Sequence, residues 1–75
     1  MTKSEFITQI EEMLEATPGV ANENTPLDSM GWDSMSIVGF IAMADRKLGV
    51  SIPPAKLAKA LTVADLIALV AEKLG

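Results

Sequence analysis

Asp-Ser-Met occurs twice in quick succession, at Asp28-Ser29-Met30 and again at Asp33-Ser34-Met35. A serine hydroxyl becomes a nucleophile when a neighbouring base takes its proton. The chain has no histidine, which removes the usual base, the usual zinc ligand and every Ser-His pair. It has no cysteine either, so thiolate metal sites and disulfides are absent. Asp, Glu, Lys and Ser remain, with no paired base in view, so no catalytic residue and no regular metal site is expected. Clustered carboxylates offer at most weak Ca²⁺ or Mg²⁺ binding. The chain does not read as an enzyme, and a reacting group, if there is one, comes from elsewhere. Taken alone, an Asp-Ser pair before a helix is an N-cap, and either Asp33 or Ser34 can fill that role. Asp28 and Ser29 read as a loop turn.

The elements that must position these serines fit into 75 residues, which predicts a single domain over 1–75. A chain this short buries only roughly 60 % of its unfolded surface, so an enclosed active site has little room. An apolar content of 49 % offsets the small size. The net charge of −4 excludes nucleic-acid backbones, which need a basic footprint, and disfavours anionic membrane surfaces. It suits a protein that meets basic patches on partners. No apolar run approaches the roughly 20 residues of a membrane span. Met1-Thr2-Lys3-Ser4-Glu5 is not a secretory signal, and a cytoplasmic location is the expectation.

The apolar pattern predicts an all-α fold: a four-helix bundle with three main helices, one short helix and a long loop between helices 1 and 2. The first helix spans 3–15, with Phe6, Ile10, Met13 and Leu14 inward and a cap at Thr2 or Ser4. Pro18-Gly19 breaks it. The connection over 16–33 is long enough to be functional or packed on the surface, and Val20 and Leu27 are expected to pin it. The second helix covers 34–48, with Ile37, Ile41, Ala44 and Leu48 inward, Phe40 on the flank and Gly49 as the stop. A short helix at 54–60 begins after Pro53 and buries Leu57. The last helix, 63–74, starts with a Thr62/Asp65 capping box and turns Val63, Leu66, Ile67, Val70 and Leu74 inward.

Gly31-Trp32-Asp33-Ser34-Met35 resembles the Gly-x-Asp-Ser-Leu signature of acyl carrier proteins, with Met35 in the Leu position. The resemblance runs along nearly the whole chain. Gly49 stands fifteen residues after Ser34, as the helix-ending glycine does in that family, and Ile52-Pro53 and Thr62-Val63 match its downstream pairs. The resemblance implies a 4'-phosphopantetheine arm on Ser34, transferred from coenzyme A by a holo-synthase, whose terminal thiol carries acyl groups as thioesters. It implies that Asp33 helps the synthase recognise the site. It also implies acyl-loading and ketosynthase-type partners in fatty-acid, polyketide or specialised-lipid synthesis, met by a monomer. A helix start suits this task, because its free N–H groups and positive dipole end favour an attached phosphate. Leu27-Asp28-Ser29-Met30-Gly31 looks like the signature of D-alanyl carrier proteins, which makes Ser29 the competing attachment point. Peptidyl and aryl carriers are a further alternative, although peptidyl carriers usually show Gly-Gly-x-Ser-Leu, against Asp33 here. A helical interaction domain without a prosthetic group is another.

The outward face of the second helix is expected to carry Met35, Val38, Ala42 and Met43, with Gly39 and Arg46, as an apolar partner-docking surface beside Ser34. Ser36 and Gly39 fall where fatty-acid carriers often place acids, and Arg46 follows Asp45, so a polyketide or modified-lipid pathway fits at least as well. Trp32 reads either as a partner contact or as a packed plug over the helix start. Ile37, Phe40, Ile41, Leu57 and Ile67 are expected to shelter an attached acyl chain, at about 0.8 kcal/mol per buried methylene.

Overall fold

The computed structural model describes residues 1–74; Gly75, the end of the expected domain, lies outside the described residues. Four α-helices are present and no strand among the described residues: α1 Lys3–Met13, α2 Ser34–Leu48, α3 Pro54–Ala58 and α4 Val63–Val70. Two 3-10 turns, Leu27–Met30 and Ala71–Lys73, precede α2 and follow α4. Thr2 caps α1: its hydroxyl accepts from the Glu5 N–H at 3.1 Å, and the Thr2 N–H donates to Glu5 Oε1 at 2.9 Å. Ser4 is not the cap.

Helix α1 ends two residues short of the expected 15, before Pro18 can break it. Glu15 takes a left-handed φ of 57°. Its N–H donates to the Glu12 carbonyl at 3.2 Å, and the Ala16 N–H reaches the Glu11 carbonyl at 2.8 Å. This paired closure of the last carbonyls normally uses glycine at the left-handed position. With glutamate there, the sequence carries no stop signal. Gly49, by contrast, ends α2 as expected, with φ 67° and its N–H on the Asp45 carbonyl at 3.0 Å. Helix α3 stops at Ala58 rather than 60, and α4 tightens into the 3-10 turn after Val70 instead of running to 74.

The core is built on Phe6 and Ile10 of α1, Phe40, Met43 and Ala44 of α2, Leu57 of α3, and Val63, Leu66, Ile67 and Val70 of α4. Phe40 lies at its centre. Phe6 meets it edge-on with ring centroids 5.8 Å apart, and Trp32 does the same at 6.1 Å. Helix α2 is thus rotated from its expected phase. Ser36, Phe40, Met43 and Ala44 form the buried stripe, while Ile37, Ile41 and Leu48 are half-buried. Gly39 faces α1, where a Cβ would lie 3.4 Å from Met13 Sδ.

The connection between α1 and α2 is fastened along its length. Glu11, only 3 % exposed, accepts from the Gly19 and Ala21 N–H groups at 3.0 and 2.9 Å, both on Oε2. Further on, the first free amides of α4 are satisfied by the connection. Val63 N–H donates to the Thr25 carbonyl at 3.1 Å and Ala64 N–H to the Glu23 carbonyl at 2.8 Å. Leu27 N–H donates to the Leu61 carbonyl at 2.9 Å. Leu27 is buried as expected, together with Met30, but Val20 is 54 % exposed and pins nothing. The polar anchor at Glu11 takes that role.

Candidate functional site

The fold brings the end of the connection and the start of α2 together at Asp33–Ser34. Asp33 is extended and fills the N-cap position. Its Oδ1 accepts from the Ser36 N–H at 3.0 Å and from the Ser36 hydroxyl at 3.1 Å, while the Asp33 N–H donates to Ser36 Oγ at 3.2 Å. This is a capping box with serine where glutamate or glutamine is usual. The Ser36 backbone N–H, and then its hydroxyl, hold the Asp33 carboxyl below the usual carboxylate range. Because Asp33 is the cap, Ser34 is released from that duty.

Ser34 is the first residue of α2 and is exposed. Its hydroxyl takes part in no hydrogen bond among the described residues, unlike those of the serines on either side. Ser36 Oγ is committed to Asp33, and Ser29 Oγ donates to the Pro26 carbonyl at 2.7 Å inside the 3-10 turn. Ser29 and Asp28 thus sit in a turn, which Gly31 closes with φ 79°. Ser34 offers an accessible oxygen on a rigid element, next to first-turn amides that suit a phosphate, so the residues present fit a phosphopantetheine arm.

The rotation of α2 splits the expected docking face. Met35 and Val38 are 79 % and 67 % exposed, and Ala42 and Arg46 are exposed beside them. Met43 is 5 % exposed and belongs to the core, which corrects its expected place on the outward face. It lies three residues after Phe40 and seven after Ser36, and so shares their stripe. Gly39 is half-buried toward α1, not outward. Trp32 is half-buried against Phe40, as the plug reading has it.

Beside this face runs a mainly apolar groove of about 630 Å³, bounded by Val38, Ile41, Ala42 and Asp45 of α2 and by Ser51, Ile52 and Pro53. The wall formed by Ile52-Pro53 was not foreseen from the sequence, where the pair stood out as part of the family resemblance and as a helix boundary. The Asp33–Ser36 pairing was also missed, because the capping-box signature has Glu or Gln where Ser36 stands. Among the described residues no group of His, Cys, Asp and Glu could hold a metal ion, and no helix is long and apolar enough to cross a membrane.

Comparison with curated proteins returned no significant match, and neither did comparison with solved structures. Comparison with protein families did: the model for the phosphopantetheine attachment site matches residues 4–70, a span that begins in α1, takes in Asp33–Ser34 and reaches the end of α4. The chain therefore belongs to the phosphopantetheine-binding carrier family, whose members bear a 4'-phosphopantetheine prosthetic group.

Proposed function

We propose that residues 1–75 form a single acyl carrier domain with its arm on Ser34, serving polyketide, specialised-lipid or fatty-acid synthesis as a cytoplasmic monomer. The observation that carries the choice of residue is the state of the hydroxyls. Ser34 Oγ is exposed and uncommitted at the head of a fifteen-residue helix, whereas Ser29 Oγ is committed within a turn. When bound, the group supplies a terminal thiol that holds acyl groups as thioesters. The chain contributes the anchor, a helix start that suits the phosphate, and two surfaces beside it. Met35, Val38 and Ala42 offer partner enzymes an apolar contact that releases easily, with methionine adapting to different surfaces. The groove beside Val38 and Ile52 gives an acyl chain partial shelter, with Ile41 in its wall. The expected shelter by Phe40 and Leu57 requires the core to open, since both are fully buried.

The test is mass spectrometry after incubation with coenzyme A and a promiscuous holo-synthase. Wild type gains one phosphopantetheine and Ser34→Ala gains none. A cofactor mass on Ser34→Ala that disappears in Ser29→Ala moves the arm to Ser29 and favours a D-alanyl-type carrier. In the loaded protein, lengthening the acyl chain shifts the NMR signals of Val38, Ile41 and Ile52. Shifts confined to the surroundings of Ser34 refute sheltering in the groove.

A further inference from the structure

Ser36 and Glu11 are the two buried polar side chains among the described residues. Glu11 fastens the connection. Ser36 lies one turn inside α2, two residues from the proposed anchor, and its hydroxyl is spent entirely on Asp33. It accepts from the Asp33 N–H at 3.2 Å and donates to Asp33 Oδ1 at 3.1 Å. The Ser36 N–H reaches the same oxygen at 3.0 Å. All three bonds join one residue pair, and those to the carboxyl converge on Oδ1. The Met35 N–H adds a weaker contact to the same carboxyl, and the Asp33 side chain is itself exposed.

The Ser36 hydroxyl completes the capping box, but the N-cap bond itself does not depend on it. The bond from the Ser36 N–H to Oδ1 caps the helix whatever side chain residue 36 carries. The hydroxyl adds a second bond to the carboxyl and one to the backbone of Asp33. Together they fix the rotation of the carboxyl and the direction in which the chain enters Ser34. An exposed aspartate otherwise samples several rotamers, and ordering it on binding costs free energy.

We propose that Ser36 is a positioning residue for cofactor attachment: by clamping Oδ1 of Asp33 it presents Oδ2, in fixed relation to the Ser34 hydroxyl, to a donor on the transferring enzyme. The proposal rests on Ser34 as the attachment point. In the reaction, the Ser34 Oγ–phosphorus bond forms and the pyrophosphate P–O bond of coenzyme A breaks. Adenosine 3′,5′-bisphosphate leaves, and the serine proton passes to the synthase. Ser36 touches none of these atoms. It acts on recognition, so its loss raises the KM for this protein and leaves kcat alone.

The experiment measures transfer from coenzyme A by a promiscuous holo-synthase to wild type, Ser36→Ala, Ser36→Thr and Ser34→Ala. It runs at a temperature where circular dichroism shows all four folded. Ser36→Ala is expected to raise KM about fivefold, the equivalent of one hydrogen bond at about 1 kcal/mol, with kcat within about twofold of wild type. Ser36→Thr keeps the hydroxyl and restores KM. Carbon-13 NMR of the Asp33 carboxyl gives a readout independent of loading: its pKa rises toward the ordinary value in Ser36→Ala and stays low in Ser36→Thr. An unchanged KM in Ser36→Ala, a loss in kcat alone, or a Thr variant as poor as the Ala variant overturns the proposal. Cofactor mass on Ser34→Ala overturns the attachment reading instead, and the Asp33 titration still reports whether Ser36 sets the carboxyl.

Discussion

Replacing Glu11 by alanine removes the buried carboxylate that holds the start of the long connection to α1. Both bonds it accepts, from Gly19 and Ala21, end on the same oxygen, Oε2. A protein hydrogen bond contributes about 1 kcal/mol net, so the pair is worth about 2 kcal/mol. Gly19 is exposed and Ala21 half-buried, so water can reach the released amides, which keeps the cost near that figure. For a chain of this size 1 kcal/mol moves the melting temperature by roughly 4–8 °C, so Glu11→Ala is expected to melt about 8–16 °C lower. Glu11→Gln discriminates the cause. Because the two amides share one acceptor, the single carbonyl oxygen of glutamine can serve both, and this variant should lose less than about 1 kcal/mol. Urea unfolding gives the free energies, and hydrogen exchange at the Gly19 and Ala21 amides locates the change. If Glu11→Gln costs as much as Glu11→Ala, or if exchange quickens elsewhere but not at these amides, the anchor is misassigned.

Acid should unfold this protein through its helix starts. Backbone donors hold three exposed carboxyls below their ordinary range: the Thr2 N–H acts on Glu5, the Ser36 N–H on Asp33 and the Leu61 N–H on Asp65. A lowered folded pKa contributes stability above the unfolded value and loses it as pH falls through the folded one, so the melting temperature should hold at neutral pH and drop below about pH 4.5. An equal acid-induced drop in a Glu5→Gln, Asp33→Asn, Asp65→Asn triple variant would falsify this account. The phase of α2 is tested by two methionines. Met43→Ala should lose about 2–5 kcal/mol in urea unfolding, as buried methionines do, and Met35→Ala less than about 0.5. Equal losses would contradict the rotation of the helix.

The bounds of α2 were legible residue for residue, because Asp33 and Gly49 are strong local signals at either end. Its phase was not. Met35, Ile37, Val38, Phe40, Ile41, Ala42, Met43 and Ala44 leave scarcely a polar side to the helix, so periodicity alone cannot say which stripe is buried. The choice is made by tertiary packing, in which Phe40 meets Phe6 of α1 and Trp32 of the connection. The same limit applies to Glu11. With Glu12 and Glu15 it reads as part of a solvated face, and only the returning connection covers it. The end of α1 was misplaced because glutamate, not glycine, adopts the left-handed conformation there. Ser34 stood out early as the candidate anchor since that reading depends on local spacing, yet spacing left open whether it or Asp33 forms the cap.

That division of labour at the helix start yields a final prediction. A hydroxyl that is to be esterified by phosphate cannot also be a dependable cap, because modification removes its proton and draws the oxygen into a bulky, negatively charged phosphodiester. Here the cap oxygen belongs to Asp33 and the reciprocal bond to Ser36, so the capping box is complete without the Ser34 hydroxyl. Ser34→Ala should therefore change the free energy of unfolding by less than about 0.5 kcal/mol, as surface substitutions usually do. Asp33→Ala should cost about 1 kcal/mol through loss of the cap, and more where it strands the buried Ser36 hydroxyl. The double variant should match Asp33→Ala alone, because alanine at 34 removes nothing that the cap uses. Urea unfolding of the three apo proteins measures all of this. A Ser34→Ala loss equal to that of Asp33→Ala would mean that Ser34 shares the cap, and attachment of the arm would then weaken the helix that carries it.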